Sequence, residues 1–129
     1  IRDLMRPNER PQPLSKLDKT HPLVSLESFQ DLRDAMARVD FLSIVRTALG
    51  DASLALAAVS SPSPDIADQI HQAAGSAAMI GAKRLHMLLC ALEDASRAGQ
   101  QADMTVLLEA AIATQQDTDA WFRIALSES

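Results

Sequence analysis

The sequence predicts an all-α fold, an antiparallel up-down four-helix bundle with a short additional N-terminal helix. Three observations lead to it. Hydrophobic residues make up 47% of the chain but aromatic ones only 3%, and tyrosine is absent. The apolar content therefore rests on Ala, Leu, Ile, Val and Met; alanine and leucine are strong helix formers, whereas the residues favoured in strands are scarce. From Ser25 onward apolar residues recur at spacings of three and four, the period of a helix with one buried face. The connections between these runs are short, which sets successive long helices antiparallel. A chain of 129 residues fits one domain, and at that size folding buries roughly two-thirds of the unfolded surface, enough without a metal or disulfide.

Residues Ile1 to Thr20 stand apart. Pro7, Pro11 and Pro13 alternate with Arg2, Arg6, Arg10, Lys16 and Lys19, and no apolar period is sustained. Closely spaced prolines block a helix, and so polar a segment does not offset its own ordering entropy. It reads as a linker or tether, with residues 21–129 forming the helical domain. Ser25 is expected to cap a first helix carrying Leu26, Phe29, Leu32 and Met36. Asp40 is expected to cap a second, with Phe41, Ile44, Val45, Leu49, Leu54, Leu56 and Val59 as its apolar residues and Gly50 as an interruption. Ser63, Pro64 and Asp65 read as a third start: a capping hydroxyl, proline at the first helical position, and a carboxylate at the positive end of the dipole. That helix should run from Pro64 to about Met79 and close at Gly81. A fourth, with Leu85, Leu88, Leu89 and Leu92, should begin near Ala82 and stop at Gly99. A fifth should begin near Gln101 and carry Met104, Val106, Leu107, Ala110, Ile112, Trp121, Ile124 and Ala125, with Trp121 and Phe122 pinning its end to the core.

Composition also excludes. A net charge of −5 argues against nucleic acid, which needs a basic face. The single cysteine, Cys90, lies in a leucine-rich run and reads as a small buried hydrophobe; it cannot form an internal disulfide. No apolar run of the ~18 residues of a membrane span is evident, nor a signal peptide. The expectation is a cytoplasmic domain with no direct membrane contact. It starts at Ile1 rather than Met, so it is expected to be cut from a longer protein, and any membrane tether would belong to that parent.

The stretch from Asp68 to Ala82 carries the chemistry. Its core-facing positions are assigned to Ile66, Ile70, Ala73, Ala77 and Ile80, spaced four, three, four and three apart. His71 lies one step off that stripe and shares a face with Asp68 and Gly75, so its imidazole should reach the surface. Gly75 is the odd residue, costing about 1 kcal/mol relative to alanine inside a helix, among alanines at 73, 74, 77 and 78. Empty space one turn from an exposed histidine suits the approach of a partner's active site. A lone helical histidine is ordinarily a solvated polar residue, and a helical glycine also serves close packing; the joint pattern with Gly81-Ala82-Lys83-Arg84-Leu85 opening the next helix is what carries weight.

These residues resemble the histidine-containing phosphotransfer (HPt) family, whose helix motif is H-x-x-K-G-S-x-x-x-x-G-A. His71, Gly75, Ser76, Gly81 and Ala82 match in place, and Leu92, Glu93, Arg97 and Gly99 fit the downstream pattern of L-E and a basic residue before glycine. The resemblance covers roughly Ser25 to Leu126. One departure is clear: Ala74 stands where the family usually has lysine, which puts the transfer rate and the charge complementarity of docking in question.

The resemblance implies a phosphoryl shuttle in which His71 accepts from a receiver aspartate at Nε2 and passes the group to another receiver. Response-regulator receiver domains would be the partners of a monomeric module, cut from the C-terminal end of a hybrid sensor histidine kinase or free-standing. No cofactor is expected in this domain, since Mg²⁺ and a lysine belong to the receiver; phosphoryl transfer depends on in-line positioning and balancing cations. With the turn centred near Gly81, His71 should lie level with Ala91 to Glu93, making Glu93 a candidate acceptor for the Nδ1 hydrogen; a solvated glutamate is the alternative. Gln72 and Gln69 are candidates for phosphate oxygens, and Ser76 for support. Lys83 and Arg84 should sit about two turns away. His21 and His86 read as structural, with no metal-ligand spacing. Competing readings are a helical interaction module that carries no phosphate, an enzyme using His71 as general acid or base, and a histidine kinase phosphoacceptor. The last would need an acidic residue where Gln72 stands and an ATP-binding domain downstream.

Overall fold

The computed structural model describes residues 22–61 and 63–127. The expected linker, with His21 and Pro62, lies outside the described residues. Within them all regular structure is helical: α1 (Leu26–Asp34), α2 (Arg38–Ala58), α3 (Ile66–Met79), α4 (Lys83–Ala98) and α5 (Gln101–Ser127).

Ser25 caps α1 as expected, its extended backbone letting Oγ accept the Ser28 N–H at 3.3 Å. The helix closes at Asp34, so Met36 falls beyond it, and Leu26 points outward. Phe29 is the residue α1 buries, its ring edge-on to Phe41, Trp121 and Phe122 with centroids 5.0–5.7 Å apart. Such edge-to-face pairs add to the area each ring buries.

α2 begins earlier than the sequence suggests. Its cap is Ala37, with no side-chain cap bond, and Asp40 lies in the first turn, where its charge still meets the positive end of the dipole. Gly50 does not interrupt the helix. The buried stripe runs through Phe41, Val45, Ala48, Ala52, Ala55 and Leu56, whereas Leu54, expected inside, is exposed. By length and composition α2 also meets the test for a membrane span, which the sequence reading did not find. In the fold it packs against α3 and α5, with 33% of that apolar span buried.

α3 starts at Ile66 rather than Pro64. Ser63 is not its cap: the Ser63 carbonyl accepts the Ile66 N–H at 3.2 Å, forming a tight turn that delays the helix. Its end follows expectation. Ala82 N–H donates to Ala77 O at 2.9 Å and Gly81 N–H to Ala78 O at 3.1 Å, with Gly81 at φ +84°, a Schellman closure. A second constraint acts on Gly81. Its carbonyl accepts the Ser25 N–H at 2.7 Å, and a Cβ there would lie 2.9 Å from Ser25 O. The start of α1 is thus laid directly on the α3–α4 turn.

α4 buries Leu85, Leu88, Leu89 and Leu92 fully and closes at Gly99 with φ +69°. On α5, Met104, Leu107, Ala110, Trp121 and Ala125 pack against the core and Phe122 is fully buried, as expected, whereas Val106, Ile112 and Ile124 are exposed and the buried stripe also takes in Ala111, Thr114, Gln115 and Thr118. The side chains of two of the polar members have partners. Thr118 Oγ donates to Thr114 O at 2.7 Å, and Gln115 Nε2 donates to Leu49 O of α2 at 2.9 Å, as buried polar groups require. α2 packs on α3, α3 on α4, α4 on α5, and α5 back on α2. Arg38 at the start of α2 donates to Leu126 O at the end of α5 (3.1 Å), a cation on the carbonyls of a helix C-terminus.

Candidate functional site

α3 presents Asp68, Gln72, Gly75 and Met79, spaced i, i+4, i+7 and i+11, on one exposed stripe, with His71 at its α4 edge. The core face is the one the periodicity assigns: Ile66, Ile70, Ala73, Ala77 and Ile80 are all buried. Ala67 and Ala74 widen it toward α4. Small residues along this flank let α3 and α4 approach closely, and the pairs 68/97, 71/93 and 74/86 show that the two helices run in opposite directions.

That register places Glu93 opposite His71. The imidazole Nδ1 is 3.1 Å from Glu93 Oε1; the histidine side chain is 70% exposed and that of the glutamate 13%. A carboxylate only accepts, so Nδ1 carries the hydrogen, and in the neutral ring that leaves the lone pair on Nε2, on the far side. Glu93 is itself anchored. Arg97, four residues on, donates Nε to Glu93 Oε2 at 3.0 Å, and its Nη2 reaches Glu93 Oε2 at 2.9 Å and Asp68 Oδ1 at 3.0 Å. Burial pushes the Glu93 carboxyl up, but hydrogen bonds from His71 and Arg97 and their charges outweigh it, and its pKa lies below the ordinary value. The chain His71–Glu93–Arg97–Asp68 therefore spans α3 and α4 as one charge-assisted network.

Gly75 faces open space: a Cβ built there meets nothing within 4 Å. No packing in the described structure demands glycine at this point. Gln72 lies exposed on the stripe beside His71. Ser76 turns the other way, its Oγ donating to Asp51 Oδ2 of α2 at 3.4 Å. Gln69, seven residues before it, shares that flank, so the structure brings neither toward Glu93. Sequence reasoning missed Asp68 and Arg97 as members of the site. The i,i+4 spacing of Glu93 and Arg97 was the available signal; the reach to Asp68 needs the helix register.

Ala74, at the position where the resembled motif usually has lysine, is only 3% exposed. His86 covers it, Nδ1 donating to the Ala74 carbonyl at 2.9 Å, which agrees with a structural role for that histidine. Cys90 is half-buried, with Sγ 3.7 Å from His86 Nε2. Burial, with the nearby charges of Glu93 and Asp94, pushes its thiol pKa up, opposite to an activated nucleophile. Among the described residues no group of three or more His, Cys, Asp or Glu is placed to hold a metal ion.

Comparison with curated proteins and with solved structures returned no match. Comparison with protein families matches the Hpt domain over residues 25–124. The match runs from the cap of α1 to near the end of α5 and takes in both helices of the His71 network. This chain belongs to the Hpt domain family, whose role is phosphotransfer in two-component signalling through contact with response-regulator receiver domains.

Proposed function

We propose that the domain is a phosphorelay intermediate that accepts a phosphoryl group from a receiver aspartate on His71 Nε2 and passes it to the aspartate of another receiver. The observation that carries this reading is the exposed imidazole with Nδ1 tied to Glu93. An acceptor on Nδ1 fixes the tautomer and orients the ring, leaving Nε2 as the nucleophile. In the forward step the Nε2 lone pair forms the N–P bond as the P–O bond to the aspartate breaks, and the carboxylate leaves with that electron pair. The Nδ1 proton stays on the ring, held by Glu93. The return step reverses these events.

Gly75 and Gln72 form the ground on which the receiver lands, with exposed Met79 as an apolar contact further along α3. Mg²⁺ and the balancing lysine are the receiver's, so this domain supplies a nucleophile and a docking face. The fold is read as an up-down four-helix bundle of α2–α5 carrying α1 as an addition. The domain works as a monomer, in the cytoplasm, within or beside a hybrid sensor histidine kinase that tethers it to the inner membrane.

The test is transfer from a panel of phosphorylated receivers to the wild-type chain and to His71→Gln. Acid-labile, base-stable label that appears only on the wild-type chain is the expected result. A wild-type chain that no receiver labels would instead favour a helical interaction module without phosphate.

A further inference from the structure

One feature of this face takes no part in holding the imidazole. The Arg97 guanidinium is shared between two carboxylates, Glu93 Oε2 at 2.9 Å and Asp68 Oδ1 at 3.0 Å. Glu93 is needed to hold the imidazole. Asp68 is exposed, comes from the other helix, and stands three residues before His71 on α3, where helical side chains are neighbours. Arg97 is thus one carboxylate away from the imidazole, held on its far side by a second. A phosphoryl group on Nε2 carries nearly two negative charges and three strong acceptor oxygens. It would face the solvent on the same stripe as Asp68, repelled by that carboxylate and attracted to the guanidinium that Asp68 holds.

We propose that Asp68 is a positioning residue that retains Arg97 in the unphosphorylated domain and competes with the His71 phosphoryl group for its guanidinium. This rests on the phosphocarrier reading and deepens it. Loading His71 draws Arg97 from Asp68 toward the phosphoryl oxygens, and Asp68 limits how far that exchange goes. The phosphohistidine is thereby kept less stable than Arg97 alone would make it, and more ready to discharge. Of the other charged or titratable groups on the packed elements, Glu93 is already bonded to His71, Cys90 and His86 lie further along α4 with Lys83 and Arg84 at its start, and Asp94 follows Glu93 and acts on Cys90. On α2, Asp51 is engaged with Ser76 on the opposite flank, while Arg38, Asp40 and Arg46 lie nearer its start.

The test loads the chain with phosphoramidate: Nε2 attacks phosphorus, the P–N bond of the donor breaks, and ammonia leaves. ³¹P resonances then give the pH midpoint of the phosphoryl group's last ionisation, which falls beside a cation and rises beside an anion. Asp68→Asn should lower the midpoint by about 0.5 unit, roughly threefold in the acid constant. Arg97→Gln should raise it, and in that background Asp68→Asn should have less than half its effect. Asp65→Asn, an equal charge change one turn further back, should leave the midpoint in place. An unmoved midpoint in Asp68→Asn, or an equal shift with and without Arg97, would overturn the competition while leaving the carrier reading intact. Failure of the wild-type chain to load at all would overturn both.

Discussion

Gly75 and Gly81 lack a side chain for different physical reasons, and mutation should separate them. At Gly81 the backbone is left-handed and a Cβ would press on Ser25 O. Gly81→Ala should therefore cost about 1–3 kcal/mol of stability, read by urea unfolding. Gly75→Ala meets nothing in the folded chain and removes backbone entropy from the unfolded one. It should gain roughly 0.5–1 kcal/mol while slowing transfer from a receiver, because the methyl intrudes on the partner's space. Gly50→Ala, equally open on α2, should gain similar stability and leave transfer unchanged. Equal effects of the two helical substitutions on transfer would refute a docking role for Gly75. Glu93 supplies a pH test. Its folded pKa is depressed, so it contributes stability that is present above its unfolded pKa and lost as pH falls through the folded one. Below the ordinary glutamate value of 4.5 wild-type stability should fall more steeply than that of Glu93→Gln, as unfolding titrations at successive pH values would show.

Among elements, α1 has Phe29 as its one buried residue, and its entry is tied down by Val24 in the core and by the Ser25–Gly81 and Arg84–Leu23 backbone bonds. Phe29→Ala should cost about 3–5 kcal/mol and shift Trp121 emission to the red, since Trp121 stacks edge-on against that ring. The helix count and order were legible in the sequence, and α3 was the clearest helix. Its periodicity marked the buried stripe, and Gly81 marked the end because left-handed closure is a local property. Helix starts were less legible: Asp40 and Ser63 looked like caps, but chain entry from Ala37 and the turn at Ser63 displaced both. On α5 the apolar pattern held for Met104, Leu107, Ala110, Trp121 and Ala125, which pack on the core, but not for Val106, Ile112 and Ile124, which are exposed; the buried stripe includes Thr114, Gln115 and Thr118, polar groups whose burial depends on packing.

At the scale of the molecule, the site is a property of register between two helices. His71 and Gly75 were legible because they lie on one helix, and the level of Glu93 followed from counting residues either side of the turn. The tie to Asp68 and the closing of position 74 by His86 depend on how deeply α3 and α4 interlock, which no spacing records. Ala74 is consequently a packed position. Ala74→Lys should displace His86, moving its imidazole NMR signals and costing roughly 1–3 kcal/mol for a polar group thrust into the interface; it should not act as a simple restoration of a basic side chain. If α4 orients His71 so that Nε2 carries the phosphoryl group, long-range ¹H–¹⁵N NMR of the His71 ring after loading by a phosphorylated receiver will read it most directly. Phosphorus on Nε2 with the hydrogen retained on Nδ1 is the expected result. Phosphorus on Nδ1, or an unmodified His71 ring in a labelled chain, would contradict it.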